Sequence, residues 1–292
     1  SISIDRKLHK AKLTPVESHD PGKIYNQTTL AELQAQIPQL DLGLLLREMK
    51  FAVPDRLIMT EPRYLPALSS LLAERPIEDI RDYAKLRIIL TFSSYLSPDF
   101  DIPLSGLNQT LTGVSILPPI EQRVLDLIKG KLGQPVSKLY VDNYFTGETR
   151  QKASEMVGMI KGAFVQRMPG RKWLSGETRA AAIAKLDKLS FKIGYTDTWI
   201  DYSKVEVTSD LVATAASLSR FEMERMRKKF GQPVEQEYFA SDKSLPIVVN
   251  AGYNATVNGF VVPAAIIQPP MFDARLDAAL NFCRIGAVLG HE

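Results

Sequence analysis

Apolar residues recur every three or four positions through most of the first two-thirds of the chain, the period of a helix with one face turned inward. Ile77, Ile80, Ala84, Ile88 and Phe92 keep that spacing through 77–95 and predict one buried stripe. The same rhythm predicts helices over 62–74, 119–131, 135–145 and 147–168, and another from about Asp210 to Phe230. Thr29-Leu30-Ala31-Glu32 fits a capping box, in which hydroxyl and carboxylate each satisfy an orphan amide, so a helix is expected to start there. Asp41 is placed to cap the next helix, which carries Leu42, Leu44, Leu45 and Met49. Ser175-Gly176-Glu177-Thr178 opens another, with Ala180, Ile183, Leu186 and Leu189 at core spacing. Residues 1–27, with Pro15 and the Asp20-Pro21-Gly22 turn signal, read as polar and irregular. Pro98 and Pro103 interrupt the helical rhythm, and 97–117 reads as a long loop.

The period changes after Gly194. Ile193-Gly194-Tyr195-Thr196-Asp197 reads as a chain reversal, followed by a polar stretch over 197–209 with short β pieces. Ile247-Val248-Val249 and Phe260-Val261-Val262 are β-branched runs flanking Asn and Gly, the pattern of a β-hairpin. A last helix is expected from about Asp277 to the end, with Phe282, Ile285, Val288 and Leu289 on its inner face. The predicted fold is therefore mainly α with a small β portion (α+β).

Composition narrows the class without naming a function. At 292 residues, 45% hydrophobic and 24% charged, the chain is globular, long enough for one large domain or two ordinary ones, and neither fibrous nor disordered. A net charge of +3, from 36 basic against 33 acidic residues, does not call for a nucleic-acid partner. No membrane span is expected, because the longest apolar run, Phe260 to Pro270, is broken by Pro263, Pro269 and Pro270. The single cysteine, Cys283, cannot form an intrachain disulfide and is expected to be a small buried hydrophobe. A start at Ser-Ile-Ser-Ile and an end at Glu292 raise the expectation of a segment of a longer polypeptide.

Few residues carry candidate chemistry. The basic stretch Arg220–Lys229 is interleaved with Glu222 and Glu224 and reads as the solvated side of a helix rather than an anion site. Trp173 and Trp199 read as core or lid anchors. His9 and His19 lie in the irregular N-terminal part, with nothing nearby to suggest ligation. His291 and Glu292 differ, because they close the apolar run Ile285-Gly286-Ala287-Val288-Leu289-Gly290. In H-E-x-x-H on a helix, the two histidines share a face and bind zinc, and the glutamate activates the metal-bound water. Standing alone, His-Glu is equally an ordinary helix end.

The preceding residues change that balance. Asn250-Ala251-Gly252-Tyr253, then Val262-Pro263-Ala264-Ala265-Ile266-Ile267-Gln268-Pro269-Pro270-Met271-Phe272, then Ile285-Gly286 to Gly290-His291-Glu292 occur in that order. This series resembles the neprilysin-type (M13) zinc metallopeptidases, including the bacterial peptidase O group. Upstream, Lys138-Leu139-Tyr140-Val141 with Tyr144-Phe145, Trp173-Leu174 before Thr178, Lys185-Leu186, Ile193-Gly194-Tyr195 before Asp197, and Thr14–Ser18 with Tyr25-Asn26 look like the same family. The likeness covers essentially the whole chain, which would be the middle portion of such a peptidase.

The resemblance implies a zinc-dependent endopeptidase that hydrolyses internal bonds of peptides, with His291 as first zinc ligand and Glu292 as general base. It implies that Asn250 and Ala251 bind the substrate backbone as an added strand. The second histidine would fall three residues past Glu292, and the third ligand, a glutamate, further on still, with the residues that stabilise the transition state. One zinc ion and the C-terminal remainder of the polypeptide are therefore the implied cofactor and partner, and a periplasmic or extracellular location is expected. Residues 1–195 would form part of a helical lid-like domain and 196–292 the beginning of a thermolysin-like catalytic domain. Three positions depart from the family pattern: Gly252 stands where an aromatic is usual, Tyr238 where a Trp is common, and Cys283-Arg284 where Gly-Gly is usual. Two other readings stay open, a catalytically silent fragment serving as a structural or binding module, and a helical interaction domain without protease ancestry.

Overall fold

The computed structural model describes residues 2–114, 118–234, 238–241 and 243–292. In chain order the helices are α1 (Ile2–Lys10), α2 (Pro21–Ile24), α3 (Leu30–Gln36), α4 (Leu42–Glu48), α5 (Tyr64–Glu74), α6 (Ile77–Phe92), α7 (Pro98–Thr112), α8 (Ile120–Tyr144), α9 (Gly147–Arg167), α10 (Gly176–Asp187), α11 (Leu211–Lys229), α12 (Ala278–Cys283) and α13 (Ile285–His291). The strands are β1 (Asn26–Thr28), β2 (Leu57–Met59), β3 (Ser190–Gly194), β4 (Gly252–Asn254) and β5 (Gly259–Pro263). The mainly α, small-β class expected from the hydrophobic periods is the class observed.

Two compact units form, one from 1–117 with 205–234, the other from 118–204 with 235–292. β3 lies just before the expected 195/196 division and pairs along its whole length with β5.

In the first unit, Ile4 and Leu8 of α1 bury against Leu71 of α5, with Ile80 and Tyr83 of α6 alongside. The capping box forms as predicted: the Thr29 hydroxyl accepts from the Glu32 amide at 3.2 Å, and the Glu32 carboxylate accepts from the Thr29 amide at 2.8 Å. Asp41 caps α4 by accepting from the Leu44 amide at 2.7 Å. The Glu17 carboxylate is held down to a pKa of about 2, chiefly by the Thr14 backbone amide, then by the Thr14 hydroxyl, Lys23 and Arg63. On α11, Phe221 and Met223 are half-buried while Arg220, Glu224, Lys228 and Lys229 are exposed, in keeping with a solvated face.

Three expectations fail in this unit. The N-terminal stretch is not wholly irregular, since α1 is amphipathic and buries Ile4 and Leu8. The α6 helix forms but its stripe is not buried: Ile77 and Ile88 are each 61% exposed. Periodicity identifies an apolar face, whereas covering it requires a neighbour, and α1 reaches only Ile80 and Tyr83. Most of 97–117 is helix α7, not loop. Pro98 occupies the first helical position, where a missing amide costs nothing, Pro103 removes one bond further along, and Gly113 closes the helix at φ 74° with its amide on the Gln109 carbonyl. Residues 115–117 of that expected loop lie outside the described residues.

The second unit is built on one core, with Phe260, Val262, Ile267, Phe272, Ile285 and Leu289 packed against Val141, Phe145, Met156 and Val157. Helix α8 breaks at Leu132 (φ −123°, ψ 28°), ahead of Pro135, and this break divides the two helices expected over 119–131 and 135–145. The sheet order is β3-β5-β4, β3 parallel to β5 and β4 antiparallel to it. Gly194 ends β3 at φ 83°, and a Cβ there would meet the Phe145 ring at 2.5 Å, so the turn after the strand takes no larger residue. Arg150 holds that turn, donating to the carbonyls of Ile193 and Tyr195 and to the Asp197 carboxylate while lying 4.3 Å from the Tyr195 ring centroid.

Here too the local details shift. Ile193 and Gly194 belong to a strand, the reversal follows them, and no described residue over 197–209 is in a strand. The hairpin exists, but its first strand is 252–254, not Ile247-Val248-Val249. That run is turned instead, with the Val248 amide on the Leu245 carbonyl, and Val249 is 71% exposed. The last helix is two, divided at Arg284 (φ −101°, ψ −96°), and Cys283 at the division is exposed, not buried. Trp199 stacks on Tyr195 at 6.1 Å as an anchor, whereas Trp173 is 79% exposed and anchors no core.

Candidate active site

Strand β4 has β5 on one side only, so it is the edge of its sheet among the described residues. Asn250 and Ala251 lead directly into it. Asn250 is exposed, and its side-chain amide donates to the Lys243 carbonyl at 3.1 Å. Ala251 is half-buried and packs against the same core as Tyr253, Phe282 and Val288. The β4–β5 turn is tied down by Asn258, which takes a hydrogen bond from the Tyr253 hydroxyl and donates to the Lys185 carbonyl.

Beyond β5, Gln268 donates to the Tyr144 carbonyl at the end of α8 at 2.8 Å, and accepts at its own carbonyl from the Met271 and Phe272 amides. The Pro269–Pro270 bond is cis, and Phe272 is 2% exposed. Asn281, buried on α12, clasps this segment: its oxygen accepts from the Asp273 amide at 3.1 Å and its nitrogen donates to the Asp273 carbonyl at 2.9 Å. Arg275 beside it holds the Asp273 carboxyl at a pKa of about 2 through side-chain hydrogen bonds first, then a backbone one. Arg284 donates to the Pro270 carbonyl and the Ile285 amide to the Met271 carbonyl, so both ends of the break before α13 are held.

Helix α13 buries Ile285 (1%) and Leu289 (5%), one turn apart. At about 100° per residue, His291 falls on the side away from those two and Glu292 falls back toward Ile285. Accordingly His291 is exposed and Glu292 half-buried, its amide on the Val288 carbonyl at 3.1 Å. The second unit therefore holds all four expected site residues, Asn250 and Ala251 at the sheet edge and His291 and Glu292 at the end of α13, with both elements seated on one core. His9 and His19 belong to the first unit, where the His19 ring faces the Pro15 carbonyl at 2.6 Å.

Imidazole and carboxylate are suitable zinc donors, but catalytic zinc needs three protein ligands. Among the described residues no group of three or more His, Cys, Asp or Glu side chains is placed to hold a metal ion. Among the described residues the donor set is incomplete. Sequence reasoning missed Asn281, which clasps the segment ahead of α13, and Arg150, which holds the turn after β3. A lone Asn on the apolar face of the last helix was the available signal for Asn281; Arg150 offered none.

The profile of peptidase family M13 matches residues 1–196 and, in a second block, residues 250–292. The chain belongs to peptidase family M13. It is 28% identical over 295 residues to the neutral endopeptidase of Lactobacillus helveticus, an alignment covering all of this chain and 45% of that protein. Mouse neprilysin is 25% identical over 316 residues, with 41% of its length covered. Among solved structures, the Mycobacterium tuberculosis zinc metalloprotease Zmp1 in complex with an inhibitor superposes with a TM-score of 0.86 at 31% identity, covering the whole of this chain and 44% of that one. The chain thus spans less than half the length of these relatives. Within the M13 frame, the second matched block begins at Asn250 and runs through Glu292, so it contains every expected site residue. No helix among the described residues is long and apolar enough to cross a membrane.

Proposed function

We propose that this chain supplies part of the active site of a zinc-dependent endopeptidase, with His291 as a metal ligand and Glu292 as general base. The observation that supports this reading is the seating of α13, which ends in His291 and Glu292, and of the β4 edge on one core within one compact unit. Asn250 and Ala251 bind the substrate backbone alongside β4. Zinc, when bound, polarises the peptide carbonyl and favours ionisation of water. Glu292 accepts the proton of the attacking water and passes it to the leaving amine nitrogen as the C–O bond forms and the C–N bond breaks. The remaining donors come from the rest of the polypeptide. Residues 1–195 belong to the helical lid-like part, 196–292 open the catalytic part, and the protein works in the cell envelope or outside the cell.

The test uses the full-length protein loaded with zinc and a peptide substrate. Glu292→Gln is expected to lower turnover roughly 10²–10⁴-fold with unchanged melting, and His291→Ala to lose bound zinc. Undiminished turnover in Glu292→Gln would remove the assigned base. A second reading is a catalytically silent module, since no group of three donors is placed to hold a metal among the described residues. Failure of the zinc-loaded full-length protein to cleave any internal peptide bond would select it.

A further inference from the structure

The break in α8 at Leu132 receives a loop distant in sequence. Just past it, Gly133 lies so close to Leu245 that a Cβ there would collide with the Leu245 side chain. Gln134, 5% exposed, donates from Nε2 to the Phe239 carbonyl. Phe239 is fully buried and holds φ 60°, a left-handed conformation that a bulky residue rarely adopts and that persists only where its surroundings impose it. Further along this loop the Ser244 and Leu245 amides bond to the Ser241 carbonyl, and the Lys243 carbonyl accepts from the Asn250 side-chain amide at 3.1 Å. Gln134 sits there at a cost, because its Oε1 is buried with no hydrogen-bond partner among the described residues, as is the Ser137 hydroxyl one turn on. An apolar residue of similar size would avoid that cost but could not hold the Phe239 carbonyl.

We propose that Gln134 is a positioning residue for substrate binding: it anchors the loop that carries Lys243, and the Lys243 carbonyl fixes the orientation of the Asn250 side chain. The inference rests on the peptidase reading above, in which Asn250 binds the substrate backbone. An unrestrained Asn amide rotates broadly about its last side-chain bond. With its nitrogen tied to Lys243, the Asn250 oxygen is held on the opposite side of the amide group as an acceptor for a peptide N–H. Loss of the anchor at Gln134 lets the Lys243 carbonyl shift, and Asn250 is then ordered only when the peptide arrives. That ordering weakens binding and leaves proton transfer at Glu292 untouched.

The test compares the full-length zinc-loaded wild type with Gln134→Leu, Asn250→Ala and the double variant on one peptide substrate. Gln134→Leu is expected to raise KM by about three- to tenfold with kcat within about twofold of wild type, the split produced by losing a contact made equally in ground and transition states. In the Asn250→Ala background the same substitution should leave KM unchanged, because the residue it positions is gone. A merely structural role would instead reduce the active enzyme and hence kcat, equally in both backgrounds. Gly133→Ala keeps Gln134 but pushes the loop through Leu245, and it should reproduce the KM rise even if Gln134→Leu does not fold. KM unchanged in both variants, a fall in kcat alone, or the same KM rise with and without Asn250 would overturn the inference while leaving the peptidase reading intact. A wild-type KM in Asn250→Ala would remove the substrate-binding role of Asn250 and the inference with it, and absence of cleavage by the wild type would overturn the peptidase reading as well.

Discussion

Gly194→Ala is expected to destabilise the second unit by about 2–5 kcal/mol. Two costs combine. A residue with a Cβ pays about 1–2 kcal/mol to sit in the left-handed region, and Gly194 has φ 83°. The new methyl also overpacks the core, at about 1–3 kcal/mol, because it meets Cε1 and Cζ of Phe145 at 2.5 and 2.9 Å. Phe145 cannot retreat easily: it is 7% exposed, its ring stands edge-on to Tyr195 at 6.0 Å, and Tyr195 is held between Arg150 and Trp199. Urea unfolding reads the effect through the fluorescence of Trp199, which stacks on Tyr195. At the usual slopes for proteins of moderate size, the midpoint should fall by roughly 1–2 M. A double-mutant cycle separates the two costs. In a Phe145→Ala background the methyl has no ring to meet, so Gly194→Ala should cost only the backbone part, with a coupling of about 1–3 kcal/mol. Gly252→Ala is the control, expected within about 0.5 kcal/mol of wild type because its site is open and its backbone ordinary. A Gly194→Ala midpoint matching wild type, or strict additivity with Phe145→Ala, would refute the reasoning.

Three further outcomes follow from the same structure. Arg150→Met should cost roughly 1–3 kcal/mol by leaving the part-buried Ile193 and Tyr195 carbonyls without their donor, seen as a lower urea midpoint. Asp197 has its pKa lowered first by the Arg150 hydrogen bond and also by Lys192, so its contribution is present above the ordinary Asp range and is lost as pH falls through the lowered folded value; the wild type should show that acid-side loss in pH-dependent melting, and Arg150→Met should show it reduced, with Lys192 keeping the remainder. Asn281→Ala should cost about 2–3 kcal/mol and raise amide hydrogen exchange across 278–291, since both ends of its clasp on Asp273 are lost. Thr29→Ala should cost about 1 kcal/mol, confined to the first unit, read as a small drop in its melting temperature.

The parts of the fold set by neighbours in sequence were legible in advance. Thr29, Asp41, Ser175 and Asp210 cap helices because each needs only an amide two or three residues on. The misreadings concern partners distant in sequence. Ile247-Val248-Val249 has a β-branched signature but turns, with the Val248 amide on the Leu245 carbonyl, and Gly252–Asn254 pairs with β5 instead. Propensity alone thus misplaces this strand by a few residues, since it registers side-chain shape and not the partner that pairs. Pro103 suggested a loop, yet a single missing amide does not undo a helix that Pro98 opens and Gly113 closes.

By itself, the sequence determined the helical class, the capped helix starts and membership of an M13-like pattern, and it put forward His291, Glu292, Asn250 and Ala251 as candidate site residues. These depend on residue type and short spacing, which the chain carries locally. Only the tertiary structure decided that β3 pairs with the distant β5, that Arg150 holds the turn after β3, and that Asn281 clasps the Asp273 backbone ahead of α13. It also decided that Gly194 is demanded by its surroundings and Gly252 is not. Those outcomes depend on which surfaces meet, and residues as far apart as Phe145 and Gly194, or Ser190 and Gly259, become neighbours only when a shared core buries them together.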